Sequence, residues 1–447
     1  MYKKFLVFAL LLLLPDMSKA QEVYDLTRAI TTAIQNNPGV TTIQNNISLQ
    51  ELNLKTAYGN LIPSLNFSGS WSQNNTSSVG GTVYQNGIPI FIGDQSKTST
   101  NVGLGLSSQV TLFNGLSNYE SVTLEKQNLA SQKISLDKIK YDIVINVYQK
   151  FFDVLKRQKI VEANAENLKI SADQLEKIKE YVNVGKKTLA DVYKQDVLVA
   201  QNELTLEQSK NDLDKSKVDL LYSMTEDVNK MIVIEVKDIQ FASTLEELHK
   251  IVARNSDVDG LTKSAVEQRY DYKIALQDIT VNETKLSIAK KNLWYPTLSL
   301  FGNYNVSGTI LKDVNDNRVL NFGLNLNYPL FQGFKSYASE QVAQINIKQK
   351  KEDLVKLELD LKTYIKKAVY DLQTAYKQIE ILERNIKSAE QDKILSEENF
   401  RIGYGTLLDV QVATTNLNSL FISRINALYN FFLAEKQIQY LSGILKY

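Results

Sequence analysis

An internal duplication is the feature that most constrains the fold of this chain. Residues 184–192 (VGKKTLADV) and 402–410 (IGYGTLLDV) carry Gly, Thr, Leu, Asp and Val at identical places, with an offset of 218 residues, 403 minus 185. Residues 112–115 (LFNG) and 330–333 (LFQG) repeat with the same offset. Two unrelated hairpins with similar turns would not be expected to share one offset at both places. The sequence therefore indicates a duplicated chain.

Each repeat contains one very long helical stretch. Residues 116–184 and 334–402 contain no glycine or proline over 69 residues each, 184 minus 116 plus one. At about 1.5 Å per residue, such a stretch predicts a helix on the order of 100 Å long, and helices of this length pair lengthwise as coiled coils. The glycine segments that follow predict hairpin tips at about residues 181–192 and 400–411, from which shorter helices return.

Four segments between the helices show the alternation of apolar and polar residues that is typical of β-strands. Their polar positions carry mainly Asn, Ser and Gly instead of Lys and Glu, which fits a water-filled lumen behind an apolar surface that faces lipid. Aromatic residues border the segments, as in the girdles of transmembrane barrels. The segments are residues 65–72, 102–112, 298–306 and 320–328, and the aromatic residues predicted at the membrane interface are Trp71, Phe113, Trp294, Tyr295 and Phe331.

The predicted strands form two pairs, within residues 63–113 and 296–331. Residues 73–97 are rich in Asn, Ser, Gly and Thr, and they predict a long loop between the first two strands. Four strands are too few to close around an open lumen, and unpaired strand edges are not tolerated in lipid. Three protomers that contribute twelve strands would satisfy closure. The predicted fold class is therefore mainly α with transmembrane β-strands.

The chain is expected to begin with a secretory signal peptide at residues 1–20. A basic start is followed by an apolar run from Phe5 to Leu14, about half the roughly 20 residues needed to span a bilayer, and by small residues at Ser18 and Ala20. The predicted organisation is then a first repeat at residues 21–226, an inter-repeat segment at 227–244 and a second repeat at 245–447.

Shorter elements are predicted outside the long helices. Residues 28–58 predict a helix with a break at Asn37–Gly39, and a single helix is expected from Leu245 to Tyr295. Residues 231–236 predict a short β-segment between the repeats.

The composition excludes several classes of function. No cysteine is present, which excludes disulfides and thiol nucleophiles. One histidine, His249, is expected on an exposed helix surface and leaves almost no material for a zinc site or a histidine base. The 51 basic and 50 acidic residues balance, so net charge implies no nucleic-acid partner. The sequence predicts no catalytic residues, no cofactor and no metal site.

The two tip segments, the LF-x-G anchors and the repeated order of helix, strand pair, long helix, tip and return helix resemble the TolC-like outer-membrane channel family of bacterial efflux pumps and secretion systems. The resemblance covers the whole mature chain. It implies a homotrimer in which a twelve-stranded β-barrel in the cell outer membrane continues into a helical α-barrel, a tunnel through the periplasm. It also implies docking of the tips onto a periplasmic adaptor, a membrane fusion protein that belongs to an inner-membrane transporter.

The function expected from this resemblance is a passive exit duct of a tripartite efflux pump or of a type I secretion system, gated at the periplasmic tips. The alternative is a soluble periplasmic coiled-coil adaptor or tether. Such an adaptor would not require the uncharged alternating strands with their aromatic borders.

The resemblance also implies roles for residues of the tips. Asp409 falls on the first of two acidic positions that ring the pore entrance in the family, whereas the second position is Val412 here, so a double acidic ring is not carried over. Alternatively, Asp409 and Asp191 only stabilise the first turn of a helix through its dipole. The tip positions expected to contact an adaptor are Val184, Gly185, Leu189, Asp191, Val192, Gly403, Gly405, Thr406, Leu407 and Val410.

Overall fold

A computed structural model describes residues 22–235 and 244–446. The predicted signal peptide lies outside the described residues, as do residues 236–243 of the predicted inter-repeat segment. The described residues form a short 3₁₀ helix at Leu311–Asp313 and nine α-helices, α1 (Leu26–Asn36), α2 (Pro38–Gly59), α3 (Ser117–Asn183), α4 (Leu189–Ser223), α5 (Leu245–Arg254), α6 (Val258–Gln268), α7 (Tyr270–Trp294), α8 (Lys335–Ile402) and α9 (Leu407–Leu441). They also form eight strands, β1 (Glu22–Tyr24), β2 (Ser64–Ser78), β3 (Gly81–Gln85), β4 (Ile88–Ile92), β5 (Gln95–Phe113), β6 (Ile232–Ile234), β7 (Thr297–Gly308) and β8 (Asn317–Asn327).

The chain divides into two compact units, and neither unit coincides with one repeat. The first unit comprises the described residues up to Gln44, Ile134–Ile274 and the residues from Leu354 onward. The second unit comprises Asn45–Lys133 and Ala275–Asp353. Each unit therefore draws on both halves of the duplicated chain.

The apolar stripes of the two long helices form the centre of the core in the first unit. Val147 and Phe151 of α3 are fully buried, as are Ile365 and Leu372 of α8. Phe431 of α9 belongs to the same cluster. Removing one such side chain from water contributes roughly 1.5–3 kcal/mol, so a row of them favours lengthwise pairing of the helices. The interpretation of these stripes as a coiled-coil core is confirmed.

The two return helices have equal lengths and matching C-terminal ends. Both α4 and α9 have 35 residues, and their first residues differ by 218, 407 minus 189. The chain leaves α4 through Thr225 with φ 55° and leaves α9 through Gly443 with φ 77°. At each end the next N–H donates to a carbonyl five residues back, Glu226 to Leu221 at 3.0 Å and Ile444 to Gln439 at 2.9 Å. This Schellman turn requires a residue in the left-handed conformation.

Four long strands of the second unit form one antiparallel sheet in the order β2-β5-β7-β8. Its register segregates the side chains by face, which confirms the predicted alternation. One rank across the sheet consists of Phe67, Leu106, Tyr304 and Leu320, and the adjacent rank on the opposite face consists of Asn66, Ser107, Asn303 and Asn321. Strands β2 and β8 are the two edges of this sheet within the described residues.

The strand ends that adjoin the helices differ from a simple alternation. A bulge near the end of β5 pairs Phe113 with Leu298, so Leu112 does not take the predicted place on the apolar face. Both edge strands are bounded by proline, since Pro63 precedes β2 and Pro329 follows β8 by two residues. Proline has no N–H to donate to a strand ladder, and it therefore limits the length of both edges.

The prediction of a loop at residues 73–97 is wrong. Strand β2 continues to Ser78 and stays paired with β5 as far as Gln95, and β3 and β4 form a further hairpin beyond them. This hairpin turns at Asn86 and Gly87, which have φ values of 54° and 81°. Two consecutive residues with positive φ are what a type I′ turn requires. Residues 73–78 are polar on both faces, and the β3–β4 hairpin is apolar on both faces, so neither part shows the apolar–polar alternation that predicts a strand.

The prediction of a single helix from Leu245 to Tyr295 is also wrong, because α5, α6 and α7 cover this range. The Asp257 carboxylate accepts a hydrogen bond from the Gly260 N–H at 3.0 Å and starts a new helix. Arg269 is extended between α6 and α7, with φ −66° and ψ 136°, and its guanidinium pairs with Asp271. Side-chain hydrogen bonds thus interrupt a stretch whose apolar pattern is continuous.

Two shorter predictions are confirmed. The helix break expected at Asn37–Gly39 separates α1 from α2, and α2 begins at Pro38, where a missing N–H costs nothing. The β-segment expected at residues 231–236 is present as β6, which pairs in parallel with β1; Val236 lies outside the described residues.

We expect Thr225→Gly to stabilise the protein by about 0.5–1 kcal/mol. A β-branched residue in the left-handed conformation costs about 1–2 kcal/mol, and the greater freedom of glycine in the unfolded chain offsets part of the gain. The measurement is the midpoint temperature for loss of helical circular dichroism in detergent. The reverse control, Gly443→Thr, should destabilise, because an added Cβ would lie 2.7 Å from the Gln268 Cβ. A lower midpoint for Thr225→Gly would contradict strain at this helix end.

Candidate functional site at the helical tips

Both long helices end in the same hydrogen-bonded turn. Residues 184–191 are named the first tip and residues 402–409 the second tip, and both belong to the first compact unit. Gly185 and Gly403 have φ values of 75° and 89°. The turns close through the Lys186 N–H to the Tyr181 carbonyl at 2.8 Å and through the Tyr404 N–H to the Asn399 carbonyl at 2.9 Å. These are Schellman turns, and they explain why glycine stands at both places.

A Thr-x-x-Asp sequence in each tip starts the return helix. In the second tip, the Asp409 carboxylate accepts hydrogen bonds from the Thr406 N–H at 2.8 Å and from the Thr406 hydroxyl at 2.7 Å. In the first tip, the Asp191 carboxylate accepts from the Thr188 N–H at 3.1 Å and from its hydroxyl at 2.8 Å. Such capping satisfies N–H groups that have no partner within the helix.

These hydrogen bonds favour the ionised form of both carboxylates. The hydroxyl and the N–H of Thr406 hold the pKa of Asp409 below its ordinary value. Partial burial raises the pKa of Asp191, but the N–H and hydroxyl of Thr188 outweigh it and hold that pKa below its ordinary value too. The helix dipole also favours a negative charge at this position. Each tip therefore holds one ionised aspartate carboxylate at neutral pH.

A small apolar cluster joins the two tips. Ile178, Phe400, Leu407 and Val410 are buried in it. Lys187 of the first tip lies over the Phe400 ring with Nζ 3.6 Å from the ring centroid, and it donates a hydrogen bond to the Phe400 carbonyl at 3.0 Å. A lysine on an aromatic face contributes about 0.5–2 kcal/mol. Lys187 thus ties the first tip to the end of α8.

Sequence reasoning missed the contact between Lys187 and Phe400. These residues lie 213 positions apart in the chain. The available signal was a difference between the repeats, because Lys187 stands where the second repeat has Gly405, 405 minus 187 being 218. A second missed link is Gln411, whose amide donates to Gln195 Oε1 at 3.1 Å.

The residues predicted to contact an adaptor fall into three groups by exposure. Val184 and Leu189 are 67% and 63% exposed. Leu407 and Val410 are buried in the cluster between the tips, where their side chains hold the tips together. Sequence reasoning missed two apolar residues of the second tip that are well exposed, Tyr404 and Leu408. The remaining predicted positions are Gly185, Gly403 and Thr406, which are exposed, and Asp191, Val192 and Gly405, which are half-buried.

The aromatic residues predicted at the membrane interface all belong to the second unit and are exposed. Trp71 pairs with Val102, and Phe113 pairs with Leu298 towards the opposite end of β5. The rings of Phe113 and Tyr295 meet edge to face at 6.1 Å between centroids. Trp294 comes shortly before β7, and Phe331 comes shortly after β8. Both therefore adjoin the end of the sheet at which Phe113 pairs with Leu298.

Within the described ranges, no group of three or more His, Asp or Glu side chains is placed to hold a metal ion. His249 is exposed, as expected, and its ring lies 5.8 Å from the ring of Tyr376. Among the described helices, none carries an apolar stretch of the length needed to cross a bilayer.

Comparison with known proteins identifies clear relatives. A protein-family model described as outer membrane efflux protein matches residues 29–224 and 261–443. Outer membrane protein TolC of Escherichia coli K12 is 21% identical over 383 residues, which cover 81% of this chain and 73% of that protein. The solved structure of VceC from Vibrio cholerae has a TM-score of 0.74 at 18% identity and covers 94% of this chain and 96% of that chain. The Campylobacter jejuni CmeC outer membrane channel has a TM-score of 0.73 at 16% identity, with 94% and 85% covered.

We expect Lys187→Met to loosen the contact between the tips while it keeps an apolar side chain of similar length. Loss of about 1 kcal/mol from the cation–π contact corresponds to roughly fivefold faster amide exchange in residues 399–410. The measurement is hydrogen exchange followed by mass spectrometry. The matched control is Lys186→Met, which removes the same charge from an exposed neighbour. Equal exchange in both variants would show that the contact adds nothing.

The capping carboxylate of Asp409 should make tip stability depend on pH. Because its pKa is lower in the folded protein, its contribution is complete above the ordinary value of 3.8 and is lost as pH falls through the folded value. Asp409→Asn should therefore lower the midpoint of thermal unfolding at pH 7, and the difference from the unchanged protein should shrink below about pH 3.8. A difference that is constant over this range would argue against capping by the ionised form.

Proposed function

The chain belongs to the outer membrane efflux protein family, and from this membership we propose that it is the exit duct of a tripartite efflux pump or of a type I secretion system. As a member of this family it is a passive channel of the cell outer membrane that extends into the periplasm, and it is not an enzyme. In the proposed role, substrate enters from an inner-membrane transporter and leaves the cell through this channel. The transporter supplies the energy and selects the substrate.

The observation that carries the proposal is the four-stranded sheet, which has one exposed apolar face and an opposite polar face that carries no charge where all four strands pair. On β8, the exposed apolar side chains are Leu320, Phe322, Leu324 and Leu326. Soluble proteins rarely expose a continuous apolar surface of this kind, whereas a barrel wall needs one towards lipid. The polar face fits a wet lumen.

A homotrimer would resolve the open edges of this sheet. Strands β2 and β8 leave backbone N–H and C=O groups without a partner along their outer sides in the described chain. In lipid each unsatisfied group costs several kcal/mol, so the edges must pair. Three copies would supply twelve strands, three times four, which is enough to close a barrel around a lumen.

The exposed apolar residues of the tips support docking of a periplasmic adaptor. Val184 and Leu189 of the first tip and Tyr404 and Leu408 of the second tip are exposed to solvent. Apolar residues that a fold exposes in a group commonly mark a protein interface. An adaptor that binds the open arrangement of the tips more tightly than the closed one would shift the channel towards the open state.

The test of the proposed function is the mass and the bilayer conductance of the mature protein, extracted from outer membranes in mild detergent. A mass of three monomers with a small conductance that responds to cations supports the closed duct. A water-soluble species without conductance would contradict it and favour a periplasmic coiled-coil adaptor or tether.

We propose that Asp409 lines the pore entrance. Its carboxylate caps α9 and is also exposed to solvent, so its negative charge can face the channel. Asp409→Ala should then raise the conductance of the closed channel and reduce its preference for cations, because three converging charges are removed. Asp191→Ala is the matched control, since it removes the same type of helix cap from the other tip. Equal effects of both variants would assign the change to loss of capping, and no effect of Asp409→Ala would exclude Asp409 from the gate.

A further inference from the structure

The β3–β4 hairpin exposes apolar side chains on both of its faces. One face, named the aliphatic face, carries the pair Val83 and Ile90, next to Ile88 and Ile92. The other, named the aromatic face, carries the pair Tyr84 and Pro89, next to Phe91. Tyr84 and Phe91 are 72% and 74% exposed, and Ile88 is 65% exposed. An isolated two-stranded hairpin is only marginally stable in water, so a hairpin with two bare apolar faces requires a partner.

A polar ribbon separates this hairpin from the apolar band of the sheet. Seven residue pairs, from Ser72 with Asn101 to Ser78 with Gln95, contain no apolar side chain. At about 3.3 Å per residue they span roughly 23 Å. Strand β7 ends opposite Val102, so no described strand pairs with this ribbon. Lipid that covers the apolar band therefore does not reach the hairpin, and lipid is not its partner.

Charge also restricts the partner. No charged residue occurs from Gln73 to Gly93. Asp94 is engaged within the chain, because its carboxylate accepts a hydrogen bond from the Gly80 N–H at 2.6 Å. A surface that recognises phosphate groups or a strongly charged protein would use Lys and Arg or Asp and Glu. The hairpin offers an uncharged, apolar surface that fits another apolar surface.

The hairpin continues the register of the strands that form the sheet. Partner numbers add to 173 in the ribbon, as 78 plus 95, and also in the hairpin, as 81 plus 92. Side-chain alternation therefore continues without a slip from one to the other. The aliphatic face of the hairpin continues the apolar face of the sheet, which carries Phe67 and Trp71. The aromatic face continues the polar face of the sheet, which carries Asn66.

We infer that the hairpins of three copies of this chain pack together in a ring, with the aliphatic face of one against the aromatic face of the next. The inference rests on the proposed trimer. In a cyclic trimer each copy has two neighbours and offers a different surface to each, which accounts for two apolar faces of different composition on one hairpin. A single partner would account for only one of them.

This ring would lie at the outer mouth of the channel. The ends of β2 and β5 that join helices are Ser64 and Phe113, and the hairpin lies at the opposite ends of the same strands. Because the helices of the proposed duct extend into the periplasm, the hairpin belongs on the cell exterior. Three apolar hairpins in contact there would narrow the exit.

The natural absence of cysteine allows a direct cross-linking test. In a Val83→Cys/Phe91→Cys variant the two thiols lie on opposite faces of one hairpin and cannot join within a chain. Mild oxidation of membranes should produce covalent dimers and trimers of this variant, whereas each single variant should remain monomeric on a denaturing gel. The matched control is Asn75→Cys/Ser99→Cys, which has the same diagonal spacing within the polar ribbon and should not cross-link.

Further outcomes separate this inference from the proposed function. Cross-linking of either single variant with itself would overturn the arrangement of unlike faces. A trimeric mass of the unchanged protein, together with no cross-link in the double variant, would overturn the inference and leave the proposed function intact. A monomeric, non-conducting protein would overturn the proposed function. Ile90→Asp added to the double variant should abolish cross-linking, because the packed interface would bury an unpaired charge.

Discussion

Burial of the apolar stripes along the long helices is the interaction on which the rest of the first unit depends. The buried residues of both long helices belong to one cluster. Val147 and Phe151 of the first repeat and Leu372 and Phe431 of the second lie in one cluster. Because the repeats bury their stripes together, their ends come together as well, and the tips meet through Phe400 and Leu407.

The contact between the tips is asymmetric although the backbones of the tips match. Both tips have the same left-handed glycine, the same Thr-x-x-Asp cap and the same closing hydrogen bonds. Lys187 of the first tip stands where the second tip has Gly405. Its side chain reaches the carbonyl and the ring of Phe400. The duplicated turns thus share one geometry, and a single difference between them, Lys187 against Gly405, provides the link between the copies. Such a link biases one arrangement of two otherwise equivalent hairpins.

The sequence was sufficient for the features that repeat or alternate. The glycine anchors located both tips, and the alternation around Phe67 and Leu320 located the sheet and its faces. The exposure of a side chain that depends on residues distant in sequence could not be predicted from these patterns. Leu189 is exposed, whereas Leu407, its counterpart in the second repeat, is buried, because only Leu407 faces the cluster between the tips.

The other failures have local causes. Residues 73–78 of the polar ribbon have no hydrophobic period, so the sequence predicts a loop there, although their backbone is fully paired with β5. The breaks at Asp257 and Arg269 follow from side-chain hydrogen bonds that an apolar pattern does not report. Asp409 illustrates a third cause. Its position in the repeat was clear, but its hydrogen bonds with Thr406 depend on the detailed geometry of the turn.

The prolines next to the two edge strands affect how readily other chains can pair with this sheet. A strand edge without a partner can add further copies indefinitely and form a fibrous aggregate instead of a closed ring. Pro63 and Pro329 cannot donate to an added strand, so a copy that slips along either edge loses a hydrogen bond where it meets the proline. Two residues just outside the ladder thereby limit the addition of further copies along either edge.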